Sequence, residues 1–170
     1  MVTRDLSSQE LLARYAAGER DFRGLELPRM ALTKVDLRGI NLAGSNLFGS
    51  AFMGSDLSDA ILKGTNLSSC GFAQANLSGA DIRYARAHVT IFERANLTLT
   101  NFSYATLESA MFQNTELGRT NLECTILTFT NFKGATCEGR PIRGFFQHVE
   151  AFYYKTTMPD GNLFVGPYPD

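Results

Sequence analysis

Residues able to do acid–base, nucleophilic or metal chemistry are few in this 170-residue chain, and poorly spaced for it. The two histidines, His88 and His148, stand far apart, with no serine, cysteine or carboxylate at the spacing that a nucleophile and its base require. Cys70, Cys124 and Cys137 are odd in number and form no Cys-x-x-Cys pair, so they read as small buried residues rather than a disulfide framework or a zinc site. Asp36, Asp56, Asn76 and Asn96 recur at intervals of twenty. A regular repeat puts Asp and Asn at such places to hydrogen-bond its corners, so the column does not point to catalysis. Four tripeptides match the glycosylation acceptor pattern (Asn66-Leu67-Ser68, Asn76-Leu77-Ser78, Asn96-Leu97-Thr98 and Asn101-Phe102-Ser103), but they arise because the repeat itself spells Asn-Leu-Ser. There is no glycine-rich phosphate loop, paired metal ligands or nucleophile elbow. These residues predict no catalytic residue, no metal site and no cofactor, so an enzyme is not expected.

Charge narrows the partner classes. The formal net charge is −1, and positions 20–144 hold thirteen Lys or Arg against eleven Asp or Glu. Such a balance argues against a nucleic-acid binder that works by neutralising phosphates. The chain contains no run of eighteen apolar residues and no basic N-terminal region followed by an apolar core. A soluble, cytoplasmic protein with no membrane partner is expected.

What must position any functional side chain is a repeat. Counting every fifth residue from Phe22 to Ile142 gives twenty-five positions, of which twenty-three are Leu, Phe or Ile; Ala87 and Cys137 are the exceptions. From Ser45 to Ala135, nineteen successive repeats carry Ala, Ser, Thr or Cys at another fixed position. A period of five is neither that of a helix nor that of a strand, so each unit must be a short extended piece followed by a corner, and stacking must bury its apolar side chains.

A second period sets the geometry. Phe52, Phe72, Phe92, Phe112 and Phe132 continue a column begun by Leu32, and Leu37, Leu57, Leu77, Leu97 and Leu117 form another. Both predict twenty residues per coil and four sides. With backbones about 4.8 Å apart, a little over six coils make a rod about 30 Å long. Gly24, Gly39, Gly44, Gly49, Gly54, Gly64, Gly79, Gly134, Gly139 and Gly144 stand two residues after the large position, where a type II turn demands positive φ. Between Arg83 and Lys133 the same position lacks glycine, which predicts a change of turn type around the fourth coil.

The ends differ from the repeat. Residues 1–6 read as a loose terminus, and Ser7-Ser8-Gln9-Glu10 offers a capping box for a short amphipathic helix bearing Leu11, Leu12 and Tyr15, stopped at Gly18. This helix is expected to cover the open end of the first coil. After Gly144, Phe145, Phe146, Phe152, Tyr153 and Tyr154 precede Met158-Pro159-Asp160-Gly161 and Asn162-Leu163-Phe164-Val165, which predicts a hairpin whose aromatic residues cover the last coil. The organisation expected is a capping helix over 1–19, a repeat domain over 20–144 and a C-terminal cap over 145–170.

Ala75-Asn76-Leu77-Ser78-Gly79, Ala80-Asp81-Ile82-Arg83-Tyr84 and Ala95-Asn96-Leu97-Thr98-Leu99 resemble the pentapeptide-repeat family, whose unit is Ala-Asp/Asn-Leu-x-x. The resemblance covers about three quarters of the chain. It implies an all-β fold, the right-handed quadrilateral β-helix. The stretch from Leu11 to Phe22 is also similar to the opening of cyanobacterial members.

Two surfaces stand out as candidates for binding. At Arg86-Ala87-His88-Val89 a small residue replaces a large one, which implies either local repacking, with Val89 or a neighbour filling the gap, or a functional notch. Arg83, Tyr84, Arg86, His88, Arg94 and Tyr104 make a basic and aromatic cluster there, of the composition enriched at protein-binding hot spots. Along the Phe column the outward positions are apolar: Ala31, Ala51, Gly71, Ile91 and Met111, with Met53 and Ala73 beside them. That stripe is either an interface or the seat of a terminal segment. The expectation is a monomeric, non-enzymatic rod that presents rigid faces to a protein partner. The alternative implied by the family is a DNA mimic that protects gyrase, a type II topoisomerase; near-neutral charge and a capped C-terminus count against it.

Overall fold

A repeat of short extended pieces can satisfy its backbone amides only by pairing with copies of itself. The computed structural model describes residues 6–137, 140–141 and 154–164. Within them, parallel bridges join Asp21 to Asn41, Glu26 to Asn46, Ala31 to Ala51 and Asp36 to Asp56, and repeat at this interval up to Glu116 and Thr136. Four bridges per coil give four sides. Each is doubly hydrogen-bonded: in the first, Phe22 N–H donates to Asn41 O at 2.7 Å and Asn41 N–H donates to Arg20 O at 2.8 Å.

The large residues fill the rod, and the small ones stitch it. Phe52, Phe72, Phe92, Phe112 and Phe132 are fully buried, with successive rings stacked 4.7–5.4 Å apart. The Ser, Thr and Cys of the small position are buried too, and most of their side chains reach the coil beneath, while Thr65, Thr115 and Thr125 donate to a carbonyl of their own coil. Ser45 Oγ donates to Phe22 O at 2.9 Å, Thr90 Oγ1 to Leu67 O at 2.8 Å and Cys70 Sγ to Leu47 O at 3.0 Å. Only a short side chain fits between coils, and a hydroxyl there must find an acceptor or incur a cost of about 1–3 kcal/mol.

The corners overturn the expected change of turn type. From Tyr84 to Phe129 every corner residue keeps positive φ, between 53° and 62°, although none is glycine; Tyr84, Val89, Arg94, Leu99 and Tyr104 are among them. The glycine corners from Gly24 to Gly134 lie at 64–73°. The cause is the stack: Tyr84 N–H donates to Ser103 O at 3.2 Å, Val89 N–H to Glu108 O at 3.0 Å and Leu99 N–H to Gly118 O at 2.7 Å, as Gly44 N–H does to Lys63 O at 2.9 Å. Left-handed φ costs a side-chain-bearing residue about 1–2 kcal/mol, whereas a broken corner forfeits a hydrogen bond and the register of everything stacked on it.

Ala87 is fully buried, so the coil closes over it and no notch opens there. Val89 does not fill the gap, being 50% exposed. Phe102, in the column that Ile82 and Leu122 share, brings a larger ring into the same core: it meets Phe92 edge-on at 5.5 Å and Phe112 edge-on at 5.9 Å, each half a coil away.

The helix α1 spans Ser8–Ala16. Glu10 N–H donates to Ser7 Oγ at 3.2 Å, and the helix ends with Gly18 N–H on Tyr15 O and Glu19 N–H on Arg14 O, a Schellman arrangement with Gly18 at φ +99°. Leu11 is fully buried in the core, and Ala31 N–H donates to Ser8 Oγ at 2.9 Å. At the other end, β1 (Thr136–Cys137) pairs antiparallel with β2 (Arg140–Pro141), and β3 (Thr156–Thr157) with β4 (Leu163–Phe164). The β3–β4 hairpin turns through Met158–Asn162, with Met158 N–H on Asn162 O at 2.8 Å. β3 also bridges Asn131 in parallel, and Thr156 Oγ1 donates to Leu127 O at 2.6 Å, so this short piece stands where the next coil would. Tyr154 meets Phe129 edge-on at 5.9 Å. Residues 1–5, Gly139, Ile142, Gly144, Phe145, Phe146, His148, Phe152, Tyr153 and Val165 lie outside the described residues.

Three corners carry an Asp-x-Arg pair in which the carboxylate takes both a forked guanidinium and the arginine's own amide. Arg38 donates to Asp36 at 3.0 and 2.7 Å, and Arg83 to Asp81 at 2.8 and 2.7 Å; Asp21 and Arg23 repeat the geometry. The Arg38 side chain, then its amide, pulls the Asp36 carboxyl down to about 2.

Two outcomes are expected. In urea unfolding, Ala87→Leu overpacks the core and costs about 1–3 kcal/mol, and Phe102→Leu leaves a void costing about 1–2 kcal/mol. The double variant is expected to lose less than their sum by about 1 kcal/mol; strict additivity would show that the two positions do not share space. In acid, a carboxyl titrating below its unfolded value stabilises the fold fully above about pH 4 and loses that contribution as pH falls toward about 2. Asp36→Asn is expected to give a shallower pH dependence of stability across that window by circular dichroism; an unchanged slope would uncouple the pair from folding.

Candidate functional site

The corner column formed by residues 24, 44, 64, 84, 104 and 124 reads Gly, Gly, Gly, Tyr, Tyr, Cys. The backbone holds Tyr84 and Tyr104 at φ 60° and 62°, which turns both side chains outward, one coil apart. Their rings stack with centroids 5.1 Å apart and planes within 6°, and they remain 52% and 51% exposed. Lys63, in the preceding coil, sets Nζ 5.5 Å from the centre of the Tyr84 ring. Cys124, and after it the carboxylate of Glu123, hold the Tyr104 phenol above its ordinary value.

The sequence-derived cluster divides on this frame. Arg83 precedes the Tyr84 corner and is forked onto Asp81. Arg86, exposed, opens the next side. His88 Nδ1 faces Glu108 Oε2 across one coil at 3.5 Å. Arg94 does not join them: ten residues are half a coil of twenty, so it stands on the opposite corner, where its Nε lies 3.7 Å from Glu93 Oε1. Lys63 was the residue missed. Its signal was available, since subtracting twenty from Arg83 lands on it.

Along the Phe face, Ala51, Gly71 and Ala73 are half-buried, Met53 is exposed and lies over Gly71, and Ile91 and Met111 are each 37% exposed. The helix α1 reaches the foot of this face at Ala31. Val89 extends the apolar surface around the corner from Ile91.

The acidic and amide column is a ladder of hydrogen bonds. Asn76 Nδ2 donates to Asp56 Oδ1 at 3.0 Å and Asn96 Nδ2 to Asn76 Oδ1 at 3.2 Å, while the same Oδ1 atoms accept the amides of Ser58 and Ser78. Burial pushes the Cys70 thiol up to about 12, which leaves it unreactive at neutral pH. Cys124 and Cys137, expected to be buried, are half-buried. Among the described residues no group of three His, Cys, Asp or Glu could hold a metal ion, and no helix is long and apolar enough to cross a membrane. Among the described residues, shallow grooves open on the surface. One of about 320 Å³ is lined by Glu93, Gln113, Asn114 and Lys133, and one of about 250 Å³ by Thr98, Leu99, Glu116, Gly118 and Arg119.

Comparison with known proteins follows from this geometry. The family model described as a pentapeptide repeat region matches residues 65–140, and that of pentapeptide repeats in eight copies matches residues 32–68. No curated protein sequence matches. Among solved structures, the chain is similar to QnrB1, a plasmid-mediated fluoroquinolone resistance protein, at 22% identity over 89% of this chain and 81% of that one, with a TM-score of 0.45. It is similar to HetL of the cyanobacterium Nostoc sp. strain PCC 7120, a protein involved in heterocyst differentiation regulation, at 23% identity over 93% and 99%, with a TM-score of 0.32. A pentapeptide repeat protein of the Arabidopsis thaliana thylakoid lumen shares 26% identity over 72% and 71%, with a TM-score of 0.28. With its two family matches meeting at residues 65–68 and its large residues stacked on four sides, the chain belongs to the pentapeptide-repeat family, the right-handed quadrilateral β-helices.

Proposed function

We propose that this protein is a non-enzymatic, regulatory binding module that presents a rigid corner to a protein partner. The observation that carries the reading is the exposed Tyr84–Tyr104 stack, held on a hydrogen-bonded corner and bordered by Lys63, Arg83 and Arg86. Tyrosine and arginine dominate binding hot spots because they bring large contact area together with hydrogen bonds. A corner fixed by the stack below and above loses little conformational freedom on binding. His88 extends the surface on the next side, and Arg94 belongs to a different one. The stripe of Ala51, Met53, Ala73, Ile91 and Met111 is a second face of the same rod. The module acts as a monomer in the cytoplasm, with α1 as its N-terminal cap and the β3–β4 hairpin as its C-terminal one; sedimentation reads the monomer directly.

A protein partner captured from the native cell by the wild-type chain is expected to be retained at least tenfold less by the variant Arg86→Glu/Tyr104→Ala, about 1.4 kcal/mol or more. Equal capture of the same partners by both proteins would remove this corner from the interface. Protection of purified gyrase from quinolone poisoning would replace the reading with the DNA-mimic one.

A further inference from the structure

The corner column that bears the two tyrosines is bare on one side. At Gly64, Gly44 and Gly24 an added Cβ would meet nothing within 4 Å, so the three coils before Tyr84 leave an open channel along the corner. One face of the Tyr84 ring is covered by Tyr104. The coil on its other side offers only Gly64 and the Lys63 ammonium, 5.5 Å from the ring centre. Coils repeat about every 4.8 Å, and the tyrosines stack at 5.1 Å, so the space over Gly64 is one ring thick. Around it the charge is one-sided. The two columns that border the channel hold Lys63 and Arg83 on one edge and Asn66 and Arg86 on the other; Asp81 beside them is engaged by Arg83, and Glu123 stands two coils above Arg83, next to Tyr104. Glu26 lies two coils below Asn66, where it accepts from Asn46 Nδ2 at 2.7 Å.

Resting on the protein-binding reading above, we infer that the partner supplies the next rung. An aromatic side chain from an acidic segment of another protein enters over Gly64, takes the place of the Lys63 ammonium against the second face of Tyr84 and stacks there, while carboxylates beside it pair with the displaced Lys63 and with Arg86. Stacking fixes the position of the ring, and the two cations Lys63 and Arg86 select an acidic neighbourhood over a basic one. The corner itself demonstrates that the rung accommodates a ring, because Tyr84 and Tyr104 occupy the same corner at φ 60° and 62°, close to the 67° of Gly64.

The chain has no tryptophan, so a synthetic peptide Glu-Asp-Trp-Glu-Asp reports its own binding by tryptophan fluorescence. Saturable binding to the wild-type protein is expected, weakened at least tenfold by Tyr84→Leu and by Gly64→Tyr, which builds the third ring in cis and fills the site. Gly44→Tyr imposes the same backbone demand one coil farther away, leaves the rung open and is expected to bind like wild type. The peptide with Leu in place of Trp is expected to bind at least tenfold more weakly, and Lys-Lys-Trp-Lys-Lys not to bind. Equal binding of the Trp and Leu peptides, unchanged binding by Gly64→Tyr, or binding of the basic peptide as tight as that of the acidic one would each overturn the inference. If the cellular partner is lost by Arg86→Glu/Tyr104→Ala but kept by Gly64→Tyr, the rung is refuted and the protein-binding reading stands; if both variants keep it, both fail.

Discussion

The whole rod depends on one backbone interaction, the hydrogen bond that large and corner residues from Phe22 to Leu117 donate to the carbonyl nineteen positions further on, as Phe22 does to Asn41 and Gly24 to Ala43. Leaving such a group buried and unpaired costs about 1–3 kcal/mol, and the ladder repeats it at nearly every step. That sum exceeds any local preference of a single residue. It explains why Val89, whose branched side chain disfavours positive φ, still holds φ 55°. It also explains the columns, because a fixed interval of twenty stacks like upon like and turns a one-dimensional repeat into faces and corners.

Most of the architecture was legible because the interval is written directly into residue types. Buried positions tolerate only large apolar or small residues, so the five-residue and twenty-residue periods survive throughout the repeat. What escaped was whatever depends on contacts across coils. A local rule tied positive φ to glycine and so placed a change of turn where Tyr84, Leu99 and Phe129 keep the same corner conformation. Nearest-neighbour reasoning looked to Val89 to compensate for Ala87, whereas Val89 is half exposed and the added bulk in that stretch of core is the buried Phe102 ring, three quarters of a coil later. Arg94 was grouped with Tyr84 because they are close in sequence, yet half a coil separates two opposite corners.

The functional surface follows from the same geometry. A β-helix of this regularity buries its chemistry: the hydroxyls of Ser45, Thr90 and Thr100 are consumed by carbonyls of the coil beneath, and the Asn76–Asp56 ladder serves its own turns. Variation is left to the corners and outward columns, where a side chain changes neither the core nor the ladder. The Tyr84–Tyr104 stack is such a variation, rigid because the backbone beneath it has no alternative and exposed because it points away from the core. Family membership therefore accounts for the scaffold, and the identity of the partner must be encoded in these few columns.

The central claim is that stacking, rather than residue type, fixes the corners. Native-state amide hydrogen exchange tests it directly at Tyr84, Leu99 and Ser109, whose N–H groups donate to Ser103, Gly118 and Thr128 at 3.2, 2.7 and 2.9 Å. These amides are expected to be as strongly protected as those of Gly44, Gly49 and Gly54. Exchange at the rate of solvated turn amides, in a protein whose glycine corners stay protected, would contradict the account.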